Sequence, residues 1–355
     1  MSILYLLIAI LLFGLLVAIH EFGHFTVAKL SGIRVEEFAV GMGPALFSFT
    51  KGETKYALRC IPFGGYCAMT GEDGTSEDPR AFTNAAAWKR LLVLAAGSFM
   101  NLLLGFVIMF CLYADAQAFI APKISAFMEN CPYEATETAE GLQVGDRFLS
   151  VDGHPIFISS DLTDFLDAGT VHDIVLRRDG KRVVLKNYPI ERVEYEGYES
   201  KMYGFTLGYD EGTLWNKLAY SGKMCCEFVR WVVDGLKQLV SGGASVKDLS
   251  GPVGIVGLMV DTGESAASAS DGLYDIFYIG AFIAVDLAAM NMLPIPALDG
   301  GRIFCLLVTR IIELVTRKKP DPKYEGYIHG AGMILLLALM GFVLFNDVFK
   351  LVKGS

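Results

Sequence analysis

His20, Glu21 and His24 stand together in the run His20-Glu21-Phe22-Gly23-His24. Residues four apart on a helix share a face, so the two imidazoles can bind one Zn²⁺ with the intervening glutamate beside it. Such a metal brings the pKa of a coordinated water to about 7, and Glu21 would take that water's proton and pass it to a leaving amine. The bland alternative is a polar helix end. It loses weight because the seventeen residues Ile3 to Ile19 carry no charge, and ionisable groups in such a segment cost about 2.5–3.5 kcal/mol each. A shared metal offsets that cost.

A catalytic zinc takes three protein ligands. Three other histidines exist: His154, His172 and His329. The first two lie in a polar central segment. His329 borders the last apolar run and reads as an interfacial residue outside the site. The expected third ligand is Asp299, in Asn291-Met292-Leu293-Pro294-Ile295-Pro296-Ala297-Leu298-Asp299-Gly300-Gly301-Arg302. Pro294 and Pro296 force the chain out of helix, and broken backbone at membrane depth is tolerated only where it is buried or lines a cavity. An ordinary turn aspartate before Gly-Gly is the competing reading.

These groups must be held by membrane helices. Of 355 residues, 53% are hydrophobic and only 19% charged, a balance suited to a membrane protein with a soluble part. A net charge of −9 argues against a nucleic-acid partner. The expected organisation is a first transmembrane helix over 1–30, a cytoplasmic loop over 31–90 whose glycine-rich stretch from Val35 to Tyr66 alternates apolar and turn residues, and a second transmembrane helix over 91–114. A mostly-β domain follows over 122–210, then an amphipathic helix and linker over 214–272, with Gly263 to Gly272 as the linker. A broken third span covers 273–316 and a fourth transmembrane helix 330–353. The first run lacks a basic leader and a small-residue cleavage site, so it reads as a retained span rather than a signal peptide. Lys29, Arg34, Lys51, Lys55, Arg59, Arg80, Lys89 and Arg90 lie between spans one and two, and Arg317, Lys318, Lys319 and Lys323 between spans three and four. By the positive-inside rule both loops are cytoplasmic and the central domain extracytoplasmic, with Lys350 and Lys353 arguing the other way. The seven scattered cysteines form no C-x-x-C pair and read mainly as small buried hydrophobes. A bridge from Cys131 to Cys225 or Cys226 stays open.

With these residues in view, the chain resembles the site-2 protease family, in particular the bacterial branch typified by the regulator of sigma-E protease. The resemblance rests on His20-Glu21-Phe22-Gly23-His24, on the run from Asn291 to Gly301, on Gly41-Met42-Gly43-Pro44 and Ile61-Pro62-Phe63-Gly64-Gly65-Tyr66, and on Ser250-Gly251-Pro252-Val253-Gly254-Ile255. It implies His20, His24 and Asp299 as zinc ligands and Glu21 as the catalytic base. It also implies substrate contact at Asn291, Pro294 and Pro296. Read alone, Asn291 could equally cap its own chain. Where relatives carry Gly-Pro before the asparagine of span two, this chain has Gly97-Ser98-Phe99-Met100-Asn101.

The resemblance implies a polytopic α-helical membrane protein of four transmembrane helices with an inserted PDZ-like domain, and a membrane-associated β-hairpin in the cytoplasmic loop over 31–90, for which a soluble cytoplasmic hairpin is the competing reading. Asp179-Gly180 between Ile174–Arg178 and Arg182–Lys186 is a hairpin signal, and the turn-strand-turn run opening at Glu140 fits the same domain. Such a module takes an extended peptide at a sheet edge; a steric gate is the rival. Leu214 to Leu239 suits an interfacial helix on the lipid bilayer or a helix packed on the β domain. The expected function is zinc-dependent cleavage of single-span transmembrane proteins, by resemblance anti-sigma factors or signal-peptide remnants. A metal transporter and an inactive membrane scaffold are the alternatives. Transporters commonly show paired repeats, and a scaffold needs no Glu21.

Overall fold

The computed structural model describes residues 2–72, 74, 76–135, 141–243, 245, 250–317 and 323–353. Glu140, at the start of the turn-strand-turn run, and Lys318 and Lys319 of the second basic loop lie outside them. The chain divides into two compact units, Met1–Leu112 with Phe228–Ser355, and Tyr113–Glu227.

The first unit is helical. Helix α1 covers Ser2–Leu30; at 1.5 Å per residue His20 lies about 27 Å along it, close to the far side of a hydrocarbon core about 30 Å thick. Helix α2 covers Ala87–Leu112. Between them strands β1 (Val35–Lys51) and β2 (Thr54–Met69) form a hairpin that folds back on itself. Residues 37–40 pair on one side with 65–68 and on the other with 55–58, while 45–51 pair with 54–59. The result is four ribbons from two strands. Phe25, Phe38, Tyr56, Phe49 and Phe47 make successive ring contacts, and Leu46 and Phe47 are 70% and 63% exposed. A bare apolar surface of this kind suits lipid better than water.

In the second unit, strands β3 (Ala118–Phe127), β4 (Arg147–Val151), β5 (His154–Pro155), β6 (Val171–Arg178), β7 (Lys181–Pro189) and β8 (Phe205–Glu211) form one sheet. Its order is β7-β6-β4-β3-β8, with β5 on β4. Asp179 and Gly180 both take positive φ at the β6–β7 turn, as a type I′ hairpin requires. Helix α3 (Ser159–Leu166) sends Leu162 and Leu166 into a core with Ile124, Leu142, Phe148, Ile174 and Leu176. Fully buried Asp146 is held by two 2.7 Å hydrogen bonds from Arg178, so the buried charge is paired.

Helix α4 (Leu214–Ser241) runs from this unit into the first, where Phe228 and Trp231 contact Phe282. Helices α5 (Pro252–Ser265), α6 (Ala269–Asn291), α7 (Asp299–Thr316) and α8 (Lys323–Lys353) complete the chain. Tyr5, Ala9, Leu12 and Leu16 form a stripe on α1 that is buried with Val256 and Met259 of α5 and Ile276, Ile283 and Ala284 of α6. Four described helices are long and apolar enough to cross a membrane: Ile3–Leu30, Ala87–Leu112, Ala269–Asn291 and Gly326–Phe349.

Two expectations change. The Ser- and Ala-rich stretch from Gly263 to Gly272 is not a linker. It is the end of α5, a three-residue turn and the start of α6, where Ser268 caps the new helix by accepting from Asp271 N–H. Serine reads as loop by composition but is a preferred N-cap. All seven cysteines are free, so Cys131 bridges neither Cys225 nor Cys226.

Asp347 of α8 is 3% exposed, and its carboxylate accepts from Gly251 N–H at 3.0 Å and Gly254 N–H at 2.9 Å. It caps the N-terminus of α5 from another helix, satisfying donors that α5 cannot pair itself. Asp347→Leu should cost about 1–3 kcal/mol and lower the thermal midpoint in detergent. Asp347→Asn, which keeps one acceptor oxygen, should lose less. In the second unit, burial works to raise the pKa of Asp152, but hydrogen bonds from His172 and the Asp173 N–H outweigh it and hold the group below the usual range. Its stabilising contribution is therefore complete above about pH 3.9 and lost as pH falls through the depressed value. Amide-exchange protection of β4 and β6 should differ between wild type and Asp152→Asn near neutrality, and the difference should shrink below that pH.

Candidate metal centre

Three side chains converge where α1, α2 and the start of α7 meet. His20 Nε2 and His24 Nε2 each lie 3.3 Å from Asp299 Oδ2 and 3.2 Å from one another. Helical periodicity brings the two imidazoles together. Asp299 arrives because α6 stops at Asn291 and α7 restarts at residue 299. Across the break Leu293 N–H bonds Met290 O, Ile295 N–H bonds Leu293 O and Leu298 N–H bonds Ile295 O. Ala297 sits at φ 78°, a conformation that side chains other than glycine adopt at a cost.

The donor set fits zinc. Ligand atoms about 2.0–2.1 Å from a tetrahedral Zn²⁺ stand about 3.3 Å apart, the spacing found here. His24 Nδ1 lies 2.8 Å from Val93 O, so in the neutral ring the proton sits on Nδ1 and Nε2 offers its lone pair. Asp299 Oδ2 is buried with no hydrogen-bond partner. Electron-rich atoms facing one another out of solvent are placed to share a cation.

Close packing of α1 on α2 makes the convergence possible. A Cβ on Gly97 would collide with Nε2 of His24 and come within 2.6 Å of His20 Cε1. A Cβ on Gly23, inside the metal motif, would strike the Ala96 carbonyl group and come within 2.9 Å of Met100 Cγ. Bare backbone at both positions lets the two helices approach closely enough for both rings to reach α2. Glu21, next to His20 on α1, faces the hairpin, where Gly65 lies against its Cγ.

A model of peptidase family M50 matches residues 8–339. The chain belongs to that family, the site-2 proteases. A Clostridium acetobutylicum protein named provisionally as a zinc metalloprotease is 35% identical over 98% of each chain. A Clostridium perfringens protein with the same description is 36% identical over 97% of this chain and 98% of its own. The Bacillus subtilis regulator of sigma-W protease, RasP, is 26% identical over 96% of this chain and 97% of its own. This M50 protein is thus a zinc metallopeptidase and a multi-pass bacterial membrane protein, an intramembrane zinc protease.

Of the residues singled out in the sequence of this protease, His20, His24 and Asp299 gather at one point, with Glu21 next to His20 on α1. Asn291 reaches the same point, with Nδ2 3.5 Å from His20 Nε2. Pro294 is exposed and Pro296 half-buried, the latter packed so closely on α8 that a Cβ on Gly332 would lie 2.8 Å from its carbonyl carbon. Sequence reading missed several contributors. Val93 acts through a backbone carbonyl, which leaves no trace in residue type. His329, read as an interfacial residue, has its Nδ1 accepting from the Ala297 N–H at 3.2 Å and so braces the break that presents Asp299. Arg302, three residues after Asp299, pairs with Glu72 at 2.6 Å and ties α7 to the end of the hairpin. Asn101, a buried amide inside an apolar span, was the one such residue with a legible signal.

Gly97→Ala tests the packing of the rings on α2. Alanine favours helix over glycine by about 1 kcal/mol, so far-UV helicity should hold or rise. Zinc retained through purification should nevertheless fall well below the wild-type level, because the added methyl occupies the space of the imidazoles.

Proposed function

We propose that this protease performs regulated intramembrane proteolysis on single-span membrane proteins, with His20, His24 and Asp299 holding zinc and Glu21 as catalytic base. The observation that carries it is the triangle of ligand atoms at 3.2–3.3 Å, with Glu21 on the same turn of α1. Bound there, zinc supplies Lewis-acid polarisation of the scissile carbonyl and makes water acidic enough to be deprotonated at neutral pH. Glu21 takes a proton from water as the oxygen adds to the carbonyl carbon. It then delivers that proton to the amide nitrogen as the C–N bond breaks, leaving a carboxylic acid and an amine, between which the second water proton passes to give carboxylate and ammonium.

A helical substrate hides its carbonyls in its own hydrogen bonds, so the chain to be cut must be unwound. The edge ribbon of β2 beside Glu21 suits strand addition to such a segment, and Asn291 offers an amide to its backbone, with Pro294 and Pro296 shaping the same stretch. The basic loops favour a cytoplasmic position for the catalytic end of α1, which would give water a short path. The mostly-β unit is read as a PDZ-like module that takes a peptide at a sheet edge or screens substrates by size. That a relative is named for regulating sigma-W favours an anti-sigma factor as substrate, with signal-peptide remnants as the other class. Neither the transporter nor the scaffold reading has a specific observation in its favour.

The test is cleavage of a tagged single-span reporter by purified protein in detergent, wild type beside Glu21→Gln. Wild type should cut, Glu21→Gln should not, and both should retain about one zinc per chain. Cleavage by Glu21→Gln at the wild-type rate would remove the glutamate from the mechanism. Loss of zinc from that variant would make Glu21 part of the metal site instead.

A further inference from the structure

The two imidazoles are held unequally. His24 Nδ1 has Val93 O at 2.8 Å. His20 Nδ1 has Asn101 Nδ2 at 3.5 Å. Asn101 is 1% exposed, and its Oδ1 is buried without a partner. A histidine that binds metal through Nε2 carries its proton on Nδ1 and needs an acceptor there. With Nδ2 toward the ring, donor would face donor while the one acceptor on the same amide stands idle. Turning the amide by 180°, which leaves its outline unchanged, brings Oδ1 to Nδ1–H and resolves both faults.

We infer that Asn101 is the positioning residue that fixes His20 as a zinc ligand, its Oδ1 accepting from His20 Nδ1–H. The inference rests on the ligand set proposed above. It makes α2 a single support for both rings. Val93, Gly97 and Asn101 are spaced i, i+4 and i+8 and so line one face of that helix. Val93 O orients His24, Gly97 clears room for both rings, and Asn101 orients His20. A backbone carbonyl serves one ring and a side chain the other, so only the second can be removed by substitution.

Full-length protein in detergent, stripped of metal and titrated with Zn²⁺ against a competing chelator, gives the affinity. Loading with Co²⁺ reports coordination geometry through its visible absorption. Asn101→Leu, similar in volume, should weaken zinc 10–100-fold and alter the Co²⁺ bands. Asn101→Asp, which keeps an acceptor oxygen, should bind close to wild type. A merely structural role for Asn101 would not separate Leu from Asp in the Co²⁺ spectrum. His20→Ala is run alongside. If His20→Ala loses zinc but Asn101→Leu binds it as tightly as wild type, the role of Asn101 is overturned and the ligand set stands. If His20→Ala binds as tightly as wild type, the ligand set itself falls and this inference with it. Should Asn101→Leu not fold, Asn101→Ala is judged by the same criterion.

Discussion

Three lone-pair donors, Nε2 of His20, Nε2 of His24 and Oδ2 of Asp299, face one another across 3.2–3.3 Å at the end of an apolar helix. A cation shared among them relieves their mutual repulsion in a membrane segment, where such groups are costly to bury unpaired. Most other features of the helical unit serve to make the convergence possible. Helices α1 and α2 approach closely through Gly23 and Gly97. Helix α6 breaks so that an aspartate can enter at the first turn of α7.

The break itself needs support from several directions. Two prolines and a non-glycine residue at positive φ leave backbone groups that regular helix would have paired. His329 of α8 takes up the Ala297 N–H, Pro296 seats on Gly332, and Arg302 fastens the start of α7 to Glu72. The opposite part of α8 is fixed by Asp347 at the N-terminus of α5. A helix whose membrane-facing length is largely bare, with Ile334, Leu335 and Phe345 at least 70% exposed, is thus attached through a few polar contacts rather than a broad apolar face. This accords with membrane helices in general, whose apolar faces gain little by leaving lipid.

The hairpin stands in a different relation to the centre. Its outer ribbons are apolar and exposed, while the ribbon next to α1 brings Gly65 against Glu21. The same local fold therefore offers a surface compatible with lipid and a wall packed against the glutamate. Residues 37–40 pair on both sides, which stiffens the ribbon beside Glu21 without help from another domain.

The sequence by itself carried the H-E-x-x-H motif, the four apolar helices and Asp299 as the candidate third ligand. An i, i+4 pair of histidines in an uncharged helix and an aspartate in a proline-broken span are local signals that an ordinary core helix or surface turn rarely shows. It also carried the Asp179-Gly180 turn, because positive φ at both positions is a local demand. What only the tertiary structure decided were the partners of those residues. Val93 contributes through its carbonyl, Gly97 through the side chain it lacks, and Asn101, His329 and Asp347 through contacts with residues between 32 and 96 positions away. The segment Gly263 to Gly272 was misread for the same reason: serine is common in linkers and at helix starts alike, and only the Asp271 N–H beside Ser268 separates the two. Residue type and spacing report what a group can do; which neighbour it does it with depends on how helices distant in sequence pack.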